Sequence, residues 1–222
     1  MMLTRSLAKL PGLDWPCWRY PTVASSNSEA MRLIDENQFD RALIWADQQT
    51  AGRGQHGKSF FSPPDKGLYL SFIWNDSYEL PDMQAATLRA GLLLAQTVDS
   101  WLSKADYENS ALAGKYCSRI KWINDLILRE RKVAGILWEH YKSHNILGIG
   151  INLFPAELPE DIASTAGSVF PAQTDLDQDK MVAGLWRKLD HGLFFSDWSL
   201  DETELRSRLL PNGLPDPLPP IR

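Results

Sequence analysis

The spacing of apolar residues near the start of the chain predicts a helix. Three of them recur at helical intervals: Ala30, Leu33 and Ile34. Ser26, with Glu29 three residues later, matches a capping box, in which two side chains near the helix start satisfy backbone amides. We therefore predict a helix over residues 27 to about 36.

The two apolar segments that follow have the character of strands. The run from Arg41 to Ala46 is short and rich in strand-forming residues, and apolar side chains alternate from Leu68 to Trp74. Between them lies a segment with three glycines in six residues. We predict two strands that flank a glycine-rich loop.

The clearest helical pattern in the chain follows Asp82, which is placed to cap a helix start. Apolar residues recur there at helical spacing: Leu88, Leu92, Ala95 and Leu102. A helix is therefore predicted over residues 83–103.

The second half of the chain is predicted to form strands and then helices. Four apolar runs predict strands at residues 120–122, 126–128, 133–138 and 146–151. The polar turn at 129–131 joins the second and third runs as a hairpin. Further helices are predicted around Met181, Leu185, Leu189 and Leu193, and over 202–210. The prolines of residues 211–222 predict an irregular tail.

Composition limits the classes of protein that this chain resembles. With 222 residues and 44% apolar composition, it can bury one substantial core, so one domain is expected. A net charge of -5 and a pI near 5.4 argue against a broad nucleic-acid surface.

No long uncharged apolar run or leader is apparent, which predicts a cytoplasmic protein without a membrane partner. Cys17 and Cys117 are expected to be reduced thiols, and no metal-ligand spacing accompanies them.

The loop from Gln49 to Lys58 is a candidate anion-binding segment. Its glycines allow the backbone to approach a ligand closely, while Arg53, Lys58 and His56 offer positive charge and hydrogen-bond donors. We expect the loop to be mobile without ligand, because these charges have no obvious protein partners. The alternative is a solvated glycine turn. The glycine spacing does not match phosphate-loop or dinucleotide-binding motifs.

Three later segments also contain residues suited to ligand binding. Lys121 adjoins Trp122 at a strand end, where it could offset charge between a carboxylate and an α-phosphate, or cover the ring as an edge-strand lysine. Asn124 could bind a ligand or form part of a turn. The small residues of 132–139 and 148–152 allow either close packing or space for a flat ligand. Asn152, at a strand end, has the same two interpretations as Asn124.

Taken in order, these segments resemble the catalytic domain of biotin protein ligases. That family has a Ser/Thr-Asn helix start, a QxAGRGxxG loop, and KWPND, K-[LV]-AGIL-x-E and G-x-GIN segments. The counterparts here lie at 25–27, 49–63, 121–125, 132–139 and 148–152. The resemblance implies an α/β (α+β) fold with a mixed sheet flanked by helices, similar to the class II aminoacyl-tRNA synthetases.

The resemblance also implies roles for individual residues. Those expected around biotin are Ser25, Ser26, Asn27, Gln49, Gly52, Arg53, Gly54, Gln55, Lys121, Gly135 and Ile136. Those expected to contact ATP are Arg53, His56, Lys58, Phe60, Asn124, Lys132 and Asn152. Lys121 and Arg53 are the expected catalytic residues, with Lys121 bridging both reactants. Magnesium is expected to accompany ATP, and no protein ligand for a metal is assigned.

The implied activity is a two-step ligation. Biotin and ATP form biotinyl-5'-AMP, and the biotin is then transferred to a lysine of a biotin carboxyl carrier protein. The alternatives are a lipoate or octanoate ligase, whose loop resembles RRxSGGG, and a biotin-binding module without catalysis. A homodimer is possible.

The sequence departs from the family at several positions. Gln55 and His56 stand where many relatives have arginine, Phe60 where they have tryptophan, and Ile123 where they have proline. Because Gln55 lacks a fixed charge, retention of the adenylate is expected to depend on Arg53 and Lys58. We expect residues 1–210 to form the catalytic domain, with neither the N-terminal DNA-binding domain of some relatives nor their C-terminal β-barrel domain.

Overall fold

A computed structural model describes residues 5–36, 39–77, 82–104, 118–195 and 202–211. Its centre is an eight-stranded sheet in the order β1-β2-β3-β4-β8-β7-β6-β5. The strands are β1 (Ser6–Ala8), β2 (Cys17–Tyr20), β3 (Arg41–Ala46), β4 (Gly67–Asn75), β5 (Arg119–Lys121), β6 (Asp125–Leu128), β7 (Arg131–Tyr141) and β8 (His144–Asn152). Strands β2 and β3 pair in parallel and the other neighbours are antiparallel, so the sheet is mixed, as predicted.

Helices cover both faces of the sheet. The helices are α1 (Ser26–Glu36), α2 (Met83–Lys104), α3 (Gln178–Asp190) and α4 (Glu202–Arg208). Helix α1 packs Ala30 and Leu33 on one face, against β3, β4 and β8. Helices α2 and α3 pack on the other face, where the larger apolar core lies. Strand alternation produces this division, because successive side chains point to opposite faces.

The structure confirms the helices and central strands that the apolar pattern predicts. Asp82 caps α2 as expected, since its Oδ2 accepts hydrogen bonds from the backbone N–H groups of Gln84 and Ala85, both at 3.0 Å. The predicted hairpin joins β6 to β7 through Arg129 and Glu130, both with positive φ. The proposed irregular tail, beyond residue 211, and Cys117 lie outside the described residues.

One local prediction was wrong, and two strands were not predicted. The apolar pattern gave no prediction for β1 and β2, which are short and only partly apolar and are held by backbone pairing near one edge of the sheet. The capping box at α1 does not form. Instead, Gln49 Oε1 accepts from the Ser26 backbone N–H at 2.7 Å, while the Glu29 carboxylate binds Arg32. A side chain distant in sequence therefore accepts the hydrogen bond from a backbone N–H group at the start of the helix, which the local sequence could not show.

In the described part of the chain, no helix combines the length and apolar character needed to cross a bilayer.

The thiol of Cys17 is expected to be unreactive in the folded protein. Cys17 is fully buried, and this burial raises its pKa from 9.0 to about 12, with a smaller opposing effect of Arg19. The thiolate is the nucleophilic form, so a protonated and inaccessible thiol reacts slowly. In a Cys117→Ser variant, iodoacetamide at pH 8 should leave the native protein unmodified and alkylate it fully in denaturant. Rapid alkylation of the native protein would contradict the burial of Cys17.

Candidate functional site

Glycines in β8 open a cavity on the face of the sheet that carries α1. Ile149 and Ile151 point toward the large core, whereas Gly148 and Gly150 face α1 and the glycine-rich loop. A Cβ atom on Gly148 would lie 2.4 Å from Asn27 Oδ1, and one on Gly150 would lie 2.4 Å from the Phe60 ring. The two glycines therefore leave the space in which Asn27 and Phe60 approach the strand.

A narrow cavity lies beside these glycines. Its polar and charged lining consists of Ser25, Ser26, Asn27, Gln49, Arg53, Asn124 and Lys132. The remaining lining residues include Gly54, Phe60, Gly135, Ile136, Leu137, Gly148 and Gly150. Most of the residues predicted to surround biotin thus meet here, although they come from α1, two loops and β7.

Gln49 is held in one orientation at the edge of the narrow cavity. Its Oε1 accepts from the Ser26 backbone N–H, and its Nε2 donates to Ser62 Oγ at 2.8 Å. Gly52, predicted to contact biotin, instead packs behind this amide, because a Cβ there would meet the Phe60 carbonyl oxygen at 2.4 Å. These contacts fix the Gln49 amide and the start of α1 together.

Asn27 is fixed from both sides. Its Oδ1 is within hydrogen-bond distance of the Ser71 hydroxyl, and its Nδ2 donates to Glu139 Oε2 at 2.8 Å. The Ser71 hydroxyl also lies 2.8 Å from Ser26 Oγ. The sequence analysis missed both Ser71 and Glu139. Ser71 is a polar residue within an otherwise apolar strand, and Glu139 ends the 132–139 motif, so signals for both were present.

A wide cavity of about 450 Å³ adjoins the narrow one. Phe60 and Lys132 line both cavities. The apolar part of the wide cavity includes Phe61, Tyr69, Leu128, Phe154 and Ile162, and its cationic part includes Lys66, Arg129 and Arg131. These three cations were missed, because they lie in segments without a recognised motif. A cavity with apolar walls and several cations suits a flat ring that carries phosphates.

Asn152 and Asn124 lie in different cavities. Asn152, an expected ATP contact, lines the wide cavity, and its Nδ2 donates to the Gly167 carbonyl at 3.0 Å. Asn124 lines the narrow cavity, and its Nδ2 donates to the Ile136 carbonyl at 3.1 Å. The Ile136 N–H in turn donates to the Asn124 carbonyl at 2.8 Å. Asn124 therefore connects the β5–β6 turn to β7.

Lys132, and not Lys121, lies at the junction of the two cavities. Lys132 Nζ is 5.7 Å from the centre of the Phe60 ring. It also forms an ion pair with Asp125 Oδ1 at 2.7 Å, in which the angles are not those of a hydrogen bond. Lys121 is exposed on the edge strand β5 and lines an outer groove, which Lys132 also lines. Lys132 is therefore a second candidate for the bridging cation, and the role expected of Lys121 stays a prediction.

Residues at the tip of the glycine-rich loop lie outside both cavities. Gln55, His56 and Lys58 instead border a depression next to Trp138 and Glu139, which shares Arg53, Gly54 and Leu137 with the narrow cavity. The turn of 3-10 helix at Gln55–Gly57 places His56 at a φ of 56° and Gly57 at 73°.

Arg53 links the loop to the sheet. Its Nη2 donates to Glu139 Oε2 at 2.7 Å. The expectation that the loop charges have no protein partner is therefore wrong for Arg53, whose partner comes from β7.

No group of three or more His, Cys, Asp or Glu side chains suited to a metal is present among the residues that the structure describes. Lysine, arginine and neutral polar side chains line the two cavities.

Comparison with known proteins identifies relatives over most of the chain. The model of the "Biotin/lipoate A/B protein ligase family" matches residues 24–153. The "Bifunctional ligase/repressor BirA" of Escherichia coli is 31% identical over 175 residues, covering 76% of this chain and 50% of that protein. The "Biotin--[acetyl-CoA-carboxylase] ligase" of Mycobacterium tuberculosis is 28% identical over 182 residues, covering 78% and 64%. This chain thus spans about half to two thirds of the length of these relatives.

A solved structure has the same architecture. The biotin protein ligase from Aquifex aeolicus in complex with biotin and ATP has a TM-score of 0.72 and 25% sequence identity, covering 87% of this chain and 78% of that one.

Proposed function

Because the chain belongs to the biotin/lipoate A/B protein ligase family, we propose that it is an ATP-dependent biotin protein ligase. It forms biotinyl-5'-AMP and then transfers biotin to a lysine of a carrier protein or domain of a biotin-dependent carboxylase. The observation that supports this proposal most directly is that a narrow polar cavity meets a wide cation-lined cavity at Lys132. A small carboxylic acid and a nucleotide can meet at such a junction.

The narrow cavity suits the biotin head group. The ureido ring has polar N–H and carbonyl groups that require partners when they are buried. Ser25, Ser26, Asn27 and Gln49 supply hydroxyl and amide groups around the available space. Because other residues hold Gln49 and Asn27 in place, these two side chains lose little conformational entropy when biotin binds.

The first step joins the biotin carboxylate to the α-phosphate of ATP. A carboxylate oxygen attacks that phosphorus, the bond to the β-phosphate breaks, and pyrophosphate leaves. Like charges approach each other in this step, so a cation at the meeting point stabilises the transition state more than the separate substrates. Lys132 occupies that point, and Arg53 lines the narrow cavity beside it.

The second step transfers the acyl group. The carrier lysine, as its neutral amine, attacks the acyl carbon of the mixed anhydride, an amide forms, and AMP leaves with the bonding electron pair. The amine proton passes to a base or to solvent. Activation is needed because AMP leaves far more readily than the oxygen of a free carboxylate.

The wide cavity is proposed to hold ATP. Phe60 borders it and is placed to stack on a purine, Asn152 lines it, and Lys66, Arg129 and Arg131 add positive charge for phosphates. Magnesium would accompany ATP and offset phosphate charge. Asp125 is a neighbouring carboxylate and is paired with Lys132, so phosphate oxygens would supply most ligands of the ion.

The loop sequence bears on how tightly the adenylate is held. Gln55 is neutral, and Gln55, His56 and Lys58 border the outer depression. We infer that retention of biotinyl-5'-AMP depends mainly on Arg53, which lines the narrow cavity.

Release of pyrophosphate on mixing the protein with biotin and ATP tests the proposal. We expect biotin-dependent release, with at most a small signal when lipoate or octanoate replaces biotin. The narrow cavity offers several hydrogen-bonding groups, which a dithiolane ring or an alkyl chain would leave unpaired. Greater release with lipoate would identify a lipoate ligase. Tight biotin binding by calorimetry without any pyrophosphate would identify a binding module instead.

A further inference from the structure

We propose that Glu139 is a positioning residue that holds Asn27 and Arg53 at the same time, and so couples the narrow cavity to the glycine-rich loop. The inference rests on the proposed function, because its consequence concerns biotin and its adenylate. A single oxygen, Glu139 Oε2, accepts from Asn27 Nδ2 at 2.8 Å and from Arg53 Nη2 at 2.7 Å. The partners are 112 and 86 residues away in sequence, so only the fold brings them together.

Glu139 determines which way the Asn27 amide points. Asn27 lies over Gly148, whose neighbours across the sheet are Ser71 on β4 and Leu137 on β7. The amide oxygen faces the Ser71 hydroxyl, and the amide nitrogen faces Glu139 and, at 3.4 Å, the Leu137 carbonyl. A flipped amide would direct its oxygen at a carboxylate and a carbonyl, which both only accept hydrogen bonds. The carboxylate therefore selects one of two otherwise similar orientations.

Glu139 also holds the loop against the sheet. Among the described residues, Arg53 makes the side-chain hydrogen bond that joins residues 53–58 to β7. The Glu139 side chain is 23% exposed and that of Arg53 is 40% exposed, so the ion pair is partly shielded from water. A charge-assisted bond in such a place is stronger than one between neutral groups. The pair therefore restrains the loop while both cavities remain accessible.

The two contacts can be separated by substitution. Glu139→Gln keeps an amide oxygen that can accept from Asn27, but removes the charge that holds Arg53. Glu139→Ala removes both contacts. Asp35→Asn is the matched control, because Asp35 pairs with Lys142 in an exposed ion pair formed by residues that line neither cavity.

The experiment uses the full chain and three readouts: the Kd for biotin by calorimetry, the dissociation rate of labelled biotinyl-5'-AMP, and amide hydrogen exchange of residues 52–59 without ligand. We expect Glu139→Ala to weaken biotin binding about tenfold, because Asn27 loses its orienting partner. Glu139→Gln should keep biotin Kd within about threefold of the parent but release the adenylate about tenfold faster. Both variants should raise exchange in the loop, and Asp35→Asn should change none of the three readouts.

Failure of this inference differs from failure of the proposed function. A parent protein that neither binds biotin nor releases pyrophosphate would overturn the proposed function. Amide hydrogen exchange of the loop would still test whether the Arg53–Glu139 ion pair restrains it. If the parent is active but Glu139→Ala binds biotin normally, or if both variants leave loop exchange unchanged, Glu139 does not position these residues. Equal losses in the Gln and Ala variants would also overturn the separate control of Asn27 and Arg53.

Discussion

Replacing Lys132 with Gln is expected to slow pyrophosphate release by about a hundredfold or more, while biotin Kd changes by less than about threefold. Lys132 Nζ lies where the two cavities meet, so its charge acts where phosphate and carboxylate oxygens are forced together. A group whose interaction strengthens mainly in the transition state affects the rate far more than substrate binding. Calorimetry with biotin and pyrophosphate release measured on the same preparation give the two quantities.

Lys121→Gln is the matched control for Lys132→Gln. Both substitutions remove one lysine charge from the strands on either side of β6. Both lysines line the outer groove, but Lys132 also lines the two cavities, whereas Lys121 lines neither. We expect Lys121→Gln to keep pyrophosphate release within a few-fold of the parent protein. If Lys121→Gln causes the larger loss, Lys121 is the bridging cation in the reacting complex and the assignment to Lys132 is wrong.

Gly148→Ala is expected to weaken biotin binding by about thirtyfold and to destabilise the fold by about 1–3 kcal/mol. The new Cβ would lie 2.4 Å from Asn27 Oδ1 and 2.9 Å from Asn27 Cγ. The strand cannot retreat easily, because Gly148 lies between paired strands β4 and β7. Asn27 must therefore move, and its contacts with Ser71 and Glu139 are lost. Calorimetry with biotin and chemical denaturation measure the two effects.

Gly184→Ala provides the comparison for the Gly148 substitution. Gly184 lies within α3, and nothing lies within 4 Å of a Cβ built there. Alanine has the higher helix propensity, so stability should rise by up to about 1 kcal/mol with unchanged biotin affinity. Unchanged biotin binding in Gly148→Ala would show that the orientation of Asn27 does not determine recognition.

The position of Lys132 at the junction of the two cavities could not be inferred from the sequence. Strand β7 contains one extra residue at one point of its pairing with β6, because Leu126 pairs with Ala134 and the next residue, Ile127, pairs with Lys132. This bulge interrupts the alternation of β7. The Lys132 side chain consequently lies over Gly135, on the face of the sheet that carries the narrow cavity. Lys132 Cε is 3.2 Å from the position that a Cβ atom on Gly135 would occupy. No local feature of the sequence predicts which strand contains the extra residue.

The sequence by itself determined the helices and the central strands, because the local spacing of apolar residues fixes which side chains share a face. The resemblance of short motifs such as Ser25–Asn27 to those of biotin protein ligases predicted most of the residues that line the narrow cavity. Only the tertiary structure decided the contacts that join distant segments. Gln49 caps α1, Glu139 joins Asn27 to Arg53, and Lys66, Arg129 and Arg131 meet in the wide cavity. Such contacts depend on strand order, register and bulges, which arise from packing of the whole sheet and not from any single segment.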